Sequence, residues 1–121
     1  MQPEESDPAY LWDMLEAARA VMRFTVNLSL PKFLTEGNET VRLAVERKLE
    51  ILGEAGRRVS PGFRDGHPEI PWKEIIGLRN VISHQYDKVN YQEIYGIARK
   101  RVPELIERLA SLVPPPPEIE E

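Results

Sequence analysis

Val41-Arg-Leu-Ala-Val45-Glu-Arg-Lys-Leu49-Glu-Ile-Leu52-Gly-Glu-Ala55-Gly-Arg-Arg-Val59 decides the fold class. Val41, Val45, Leu49 (or Lys48), Leu52, Ala55 and Val59 recur at three- to four-residue spacing, which makes one stripe of a helix apolar. Arg42, Glu46, Arg47 and Glu50 fall between them and allow i,i+4 charge pairs on the wet side. Asn38 or Thr40 stands where an N-cap is needed. Gly53 and Gly56 are poor helix formers, each costing up to about 1 kcal/mol against alanine. Close approach of a neighbouring helix is the preferred reason for them, ahead of a ligand approaching the backbone.

Upstream, Leu11, Leu15, Ala18, Met22 and Val26 repeat the pattern, with Ser6 or Asp7 as cap and Pro8 in the first turn. Pro31 stops that helix near Asn27 to Leu30. Downstream, Pro61-Gly62, Asp65-Gly66 and His67-Pro68 make Ser60 to Pro71 a loop, on which His67 reads as a solvated residue. Pro71 opens a third helix. Its Trp72, Ile75, Ile76, Leu78, Val81 and Ile82 are apolar on more than one face, as in a helix buried inside a bundle or between subunits. After a break at 87–90, capped by Asp87 or Asn90, the series Ile94, Ala98, Val102, Leu105, Leu109 and Leu112 marks a fourth helix. Pro103 forces it to kink or restart. Pro114 to Pro117 forms a polyproline segment ahead of Glu118-Ile-Glu-Glu121, a flexible tail. With no period-2 alternation, the sequence predicts an all-α, up-and-down four-helix bundle with room for short extra helices. One domain spans 1–113, and 114–121 is a Pro-rich acidic tail.

Composition narrows the function classes. Hydrophobic residues are 41% and charged residues 30% of 121, which fits a soluble globular domain rather than a disordered chain. Absence of cysteine removes disulfides, thiolate metal sites and cysteine nucleophiles. The acidic start lacks the features of a signal peptide, and no apolar run is long enough to span a bilayer, so the expected location is the cytoplasm. A net charge of -4 argues against bulk electrostatic gripping of nucleic acid. The charge is uneven, however: residues 41–108 hold 13 basic and 10 acidic side chains, whereas 1–40 hold 3 and 7, so any phosphate-binding surface belongs to the middle of the chain.

That middle contains Gly77-Leu-Arg79-Asn80-Val-Ile-Ser83-His84-Gln-Tyr86, an apolar segment in which polar groups without compensation are costly. On a regular helix Tyr86 falls near the face of Arg79, while His84 is rotated about 140° from it. Convergence of Arg79 and His84 therefore requires a local break near Ser83 or a second copy across a two-fold. A histidine with a pKa of about 6.5 suits proton transfer to and from the 2′-hydroxyl chemistry of RNA. An always-charged, fork-shaped arginine suits the crowded anionic phosphorus. Asn80 and Ser83 suit orienting the phosphate or holding the imidazole, and equally suit a plain polar place on the helix face. The residues alone favour a blander alternative, in which Arg79 and His84 pair with acidic neighbours and fix the bundle. With only two histidines and no HExxH-type spacing, a histidine metal site has little support, and no cofactor is implied.

Tyr10-Leu-Trp-Asp13-Met-Leu-Glu-Ala17, Leu49-Glu-Ile-Leu-Gly-Glu-Ala55, Pro68-Glu-Ile-Pro-Trp72 and the R-x4-H-x-Y pattern of Arg79, His84 and Tyr86 together resemble the HepT-like branch of the HEPN ribonucleases. These are toxins of prokaryotic two-gene modules, and the resemblance covers nearly the whole chain. It implies an HEPN-like bundle and a metal-independent endoribonuclease with Arg79 and His84 as the catalytic pair at a homodimer interface. It also implies Asn80 as the polar residue after the arginine, and Tyr86 as the tyrosine that an MntA-type minimal nucleotidyltransferase antitoxin modifies with AMP. Gln85 and Asp87 stand where the family often has aspartate and phenylalanine, and Tyr95 where tryptophan is frequent. The alternative of another class is a non-catalytic helical binding subunit of a nucleotidyltransferase complex.

Overall fold

The structure, a computed structural model, describes residues 3–83 and 89–113. All regular structure among them is helical. Helix α1 (Pro3–Thr25) and helix α3 (Glu39–Arg58) are the long antecedents of the bundle, joined through the one-turn helix α2 (Leu30–Phe33) and a 3-10 turn, Glu36–Asn38. Helix α4 (Pro61–Gly66) follows, then the short helices α5 (Trp72–Ile76) and α6 (Leu78–Ser83). The last leg comprises α7 (Tyr91–Gly96), a π-helical turn at Ile97–Arg101, and α8 (Val102–Ala110). Helix α1 packs on α3 and α8, and α3 packs in turn on α5 and α6.

The α3 stripe is buried as its spacing requires: Val45, Leu49, Leu52, Ala55 and Val59 join Leu11, Leu15, Ala18 and Val21 of α1 and Val102, Leu105 and Leu109 of α8 in one core. Burial of the valine and leucine side chains among them contributes about 1.5–3 kcal/mol each, above the roughly 0.7 kcal/mol that separates ordinary residues in helix propensity. A methyl group built on Gly53 would lie 2.9 Å from the Ile75 carbonyl oxygen, and one on Gly56 3.0 Å from Ile75 Cγ2. Close helix approach is therefore what the two glycines permit.

Several local expectations are corrected. Helix α1 begins at Pro3, so neither Ser6 nor Asp7 caps it. Asp7 is instead buried and accepts from the Ser60 backbone N–H at 2.8 Å and from Ser60 Oγ at 2.6 Å. Ser60 at the same time occupies the N-cap of α4, accepting from the Phe63 N–H at 3.4 Å, which turns part of the expected 60–71 loop into helix. Asn38 holds the N-cap position of α3, but its side chain donates to the Lys32 carbonyl instead. Val26 lies beyond the end of α1 and is exposed, so it is no part of the stripe. The third long helix is two short ones parted at Gly77. Pro103 does interrupt the last helix: lacking an N–H and crowding the carbonyl four residues back, it is accommodated by the wider π turn just before α8. Residues 114–121, expected as a tail, lie outside the described residues.

The start of the last leg is fixed by polar contacts around Phe33, which is fully buried. Tyr95 Oη donates to the Leu28 carbonyl at 2.6 Å, Tyr91 Oη donates to Glu46 Oε2 at 2.6 Å, and both rings pack on Phe33. The Arg42 guanidinium lies over the Tyr91 ring and donates to the Phe33 and Thr35 carbonyls. Asn90 caps α7 through Oδ1. Burial first, then the Glu46 carboxylate, push the Tyr91 phenol up to about 12 from its usual 10.0. A raised folded-state pKa means that this stabilisation is complete below pH 10 and is lost as the phenol ionises towards pH 12. The unfolding midpoint of the wild type should accordingly fall more steeply across that interval than that of Tyr91→Phe, as followed by circular dichroism. Parallel profiles would contradict it.

Candidate functional site

Helix α6 is held by its apolar side: Leu78 and Ile82 are buried against α3 and the core. Arg79 and Asn80, one position on, are turned outward and exposed. Within the single chain, then, only one side of α6 is buried, and Arg79 and Asn80 lie on the side the bundle leaves uncovered. Trp72, Ile75, Leu78 and Ile82 are in the core, while Ile76 and Val81 are half-exposed. The Trp72 indole donates to the His67 carbonyl at 2.9 Å, and the His67 ring stacks on Phe63 with centroids 4.2 Å apart. His67 is thus a packing residue, with Glu69 3.3 Å from its Nδ1.

Arg79 stands at the rim of a cleft of about 560 Å³ between α1 and α3. Tyr10 and Asp13, one turn apart on α1, form one wall; Arg47, Glu50, Ile51, Glu54 and Arg58 of α3 form the other. Glu54 binds two guanidiniums, at 2.7 Å to Arg57 and 3.0 Å to Arg58, and these hydrogen bonds, the Arg57 one first, pull its carboxyl down to about 2. Arg47 sits 3.8 Å from Glu50. Glu54 chiefly, and the Tyr10 phenol next, hold the proton of Arg58 more tightly than usual. Among the described residues Arg79 has no ion-pair partner.

On its other side α6 borders an apolar groove of about 390 Å³, where Leu78 and Val81 face Ile97 and Leu105 of the last leg. Helix α6 therefore separates a polar cleft, reached by Arg79, from an apolar one.

Of the site residues expected from sequence, Arg79 is placed at the cleft. Asn80 is exposed beside it, with its N–H donating to the Gly77 carbonyl at 3.0 Å. Ser83 closes α6. His84 and Tyr86 lie outside the described residues. Among the described residues no three His, Asp or Glu side chains converge as a metal site would require, and no helix is long and apolar enough to cross a membrane. Tyr10, Asp13, Arg47 and Arg58 were not singled out as a cleft by sequence. Tyr10 and Asp13 do fall at i,i+3 on α1, within the Tyr10–Ala17 stretch that carries part of the family resemblance, and those are the signals available for them.

A family model described as ribonuclease HepT-like matches residues 14–112. A protein of Methanocaldococcus jannaschii, provisionally named an RNase, is 40% identical over 97 residues, covering 80% of this chain and 87% of its own. A second RNase so named from the same organism is 32% identical over 111 residues, covering 92% and 90%. A protein of Thermococcus cleftensis, provisionally named ribonuclease HepT, is 32% identical over 102 residues, covering 84% and 91%. No solved structure matches the chain.

Proposed function

The chain belongs to the HepT-like ribonuclease family, and from that premise we propose that it is a metal-independent endoribonuclease toxin of a two-gene module, one domain over 1–113 working as a homodimer. The observation that carries the site is Arg79, presented to solvent at the rim of a polar cleft by a helix whose other side is locked into the core.

The reaction is transesterification followed by release. His84 accepts the proton of the RNA 2′-hydroxyl, the resulting oxygen attacks the adjacent phosphorus, and the bond to the 5′-oxygen breaks as that oxygen takes a proton from water, the hydroxide so formed being neutralised by the proton on His84. The products are a 2′,3′-cyclic phosphate and a 5′-hydroxyl. Arg79 stabilises the crowded phosphorane with its fork of donors, a charge-assisted contact that is strongest in the transition state. Asn80 and Ser83, within the same turns, orient the phosphate. An arginine at an exposed cleft rim has access to a polymeric substrate, as this chemistry needs.

Control falls to Tyr86, two positions from His84, as the acceptor of AMP from an MntA-type nucleotidyltransferase antitoxin. The phenol oxygen attacks the α-phosphorus of ATP and pyrophosphate leaves. The bulky anionic adduct then excludes RNA by size and like charge. Coexpression with the partner should add one adenylyl mass to the intact protein, absent in Tyr86→Phe, and should abolish RNA cleavage. No increment, or one persisting in Tyr86→Phe, would count against this control.

A further inference from the structure

We infer that Tyr10, Asp13 and Arg58 form a subsite that reads a guanine base next to the scissile phosphate. This rests on the ribonuclease reading above and deepens it. Single-stranded RNA is recognised by stacking bases on aromatic side chains and by hydrogen bonds to their Watson–Crick edges, with cations on the phosphates. The cleft that Arg79 lines offers all three: the half-buried Tyr10 ring, the Asp13 carboxylate one turn further along the same wall, and guanidiniums at Arg79 and at Arg58, the latter also held by Glu54.

The carboxylates select the base. Glu54 is committed to Arg57 and Arg58, and Glu50 lies 3.8 Å from Arg47. Asp13 is exposed and has no ion pair among the described residues. An uncompensated carboxylate repels a phosphate, so at this place in an RNA cleft it faces a base edge. An ionised carboxylate only accepts hydrogen bonds, through two oxygens side by side. Guanine alone presents two adjacent donors, N1–H and the N2 amino group. Adenine and cytosine place an acceptor beside their amino group, and uracil flanks its one N–H with carbonyls. Tyr10 precedes Asp13 by one helical turn on the same face, so a base stacked on the phenol has its edge within reach of the carboxylate.

Mapping of 5′-hydroxyl ends after digestion of a random single-stranded RNA pool tests this. Wild-type cuts should be enriched about tenfold for guanine at one fixed position beside the cut, the discrimination a good bidentate contact gives. Asp13→Asn should lose the enrichment. In a single defined substrate, inosine at that position, which lacks the N2 amino group, should lower kcat/KM for the wild type and leave Asp13→Asn indifferent to the change. Wild-type cleavage with no guanine bias, a bias retained in Asp13→Asn, or an equal loss at all four bases would overturn the subsite while leaving the ribonuclease reading intact. A wild type that cuts no RNA would overturn both.

Discussion

Arg79→Ala is expected to slow RNA cleavage by at least about a hundredfold, the usual cost of removing one donor that acts on developing charge, while leaving the unfolding midpoint almost unchanged. Arg79 is exposed and has no ion pair among the described residues, whereas α6 is held by Leu78 and Ile82. Exposed substitutions away from packing features usually shift stability by no more than about 0.5 kcal/mol. Arg79→Lys separates charge from shape: a lysine keeps the positive charge but cannot form the forked contact, so it should recover only part of the rate. Cleavage rate and thermal melting measured on the same preparations check both halves. Loss of activity accompanied by a large fall in stability would return Arg79 to a structural role.

Gly53→Ala is expected to destabilise the fold and, through it, the site. The added methyl group would sit 2.9 Å from the Ile75 carbonyl oxygen, 3.7 Å from Leu78 Cβ and 3.8 Å from the Arg79 nitrogen. Alanine gains about 1 kcal/mol in helix propensity. Overpacking against a backbone atom costs about 1–3 kcal/mol, and here the carbonyl recedes only if α5 and α6 move with it. The net loss is largest for Gly53→Val, on the order of 3 kcal/mol, with a fall in unfolding midpoint of roughly 10 °C. Gly56→Ala is the control, because its new methyl group meets the Ile75 Cγ2 methyl at 3.0 Å, a side-chain atom that can shift. Its effect should be the smaller. Since α6 carries Arg79, Gly53→Ala should also lower cleavage below 25 °C, where the protein remains folded. Equal effects at the two glycines would show that backbone crowding at Ile75 is not what matters.

Much of this architecture was legible because local pattern and tertiary need agree. The α3 stripe is apolar where the core lies, Asn90 caps the last leg, and Pro103 marks an interruption that a π turn absorbs. Expectations failed where a partner comes from far along the chain. Asp7 has the appearance of an N-cap, but its donors are on Ser60, 53 residues later, and no local pattern announces them. The third helix is broken at Gly77, although its apolar residues suggest continuity, because two short helices suffice to bring Ile75 and Leu78 against the glycines of α3. Arg79 was legible as a candidate through its motif, but its exposure was not. Within the single chain, the burial inferred from neighbouring Leu, Val and Ile covers one side of α6. The cleft itself was the least legible feature, since its two walls come from α1 and α3 and meet only in the fold.

The most direct measurement is end-group analysis of a single-stranded RNA incubated with the purified protein in excess EDTA, beside His84→Ala and Arg79→Ala. The expected result is undiminished wild-type cleavage that leaves 2′,3′-cyclic phosphate and 5′-hydroxyl ends, with both variants at background. Cleavage that requires added metal, products with 3′-hydroxyl and 5′-phosphate ends, or full activity in His84→Ala would contradict the Arg79–His84 assignment.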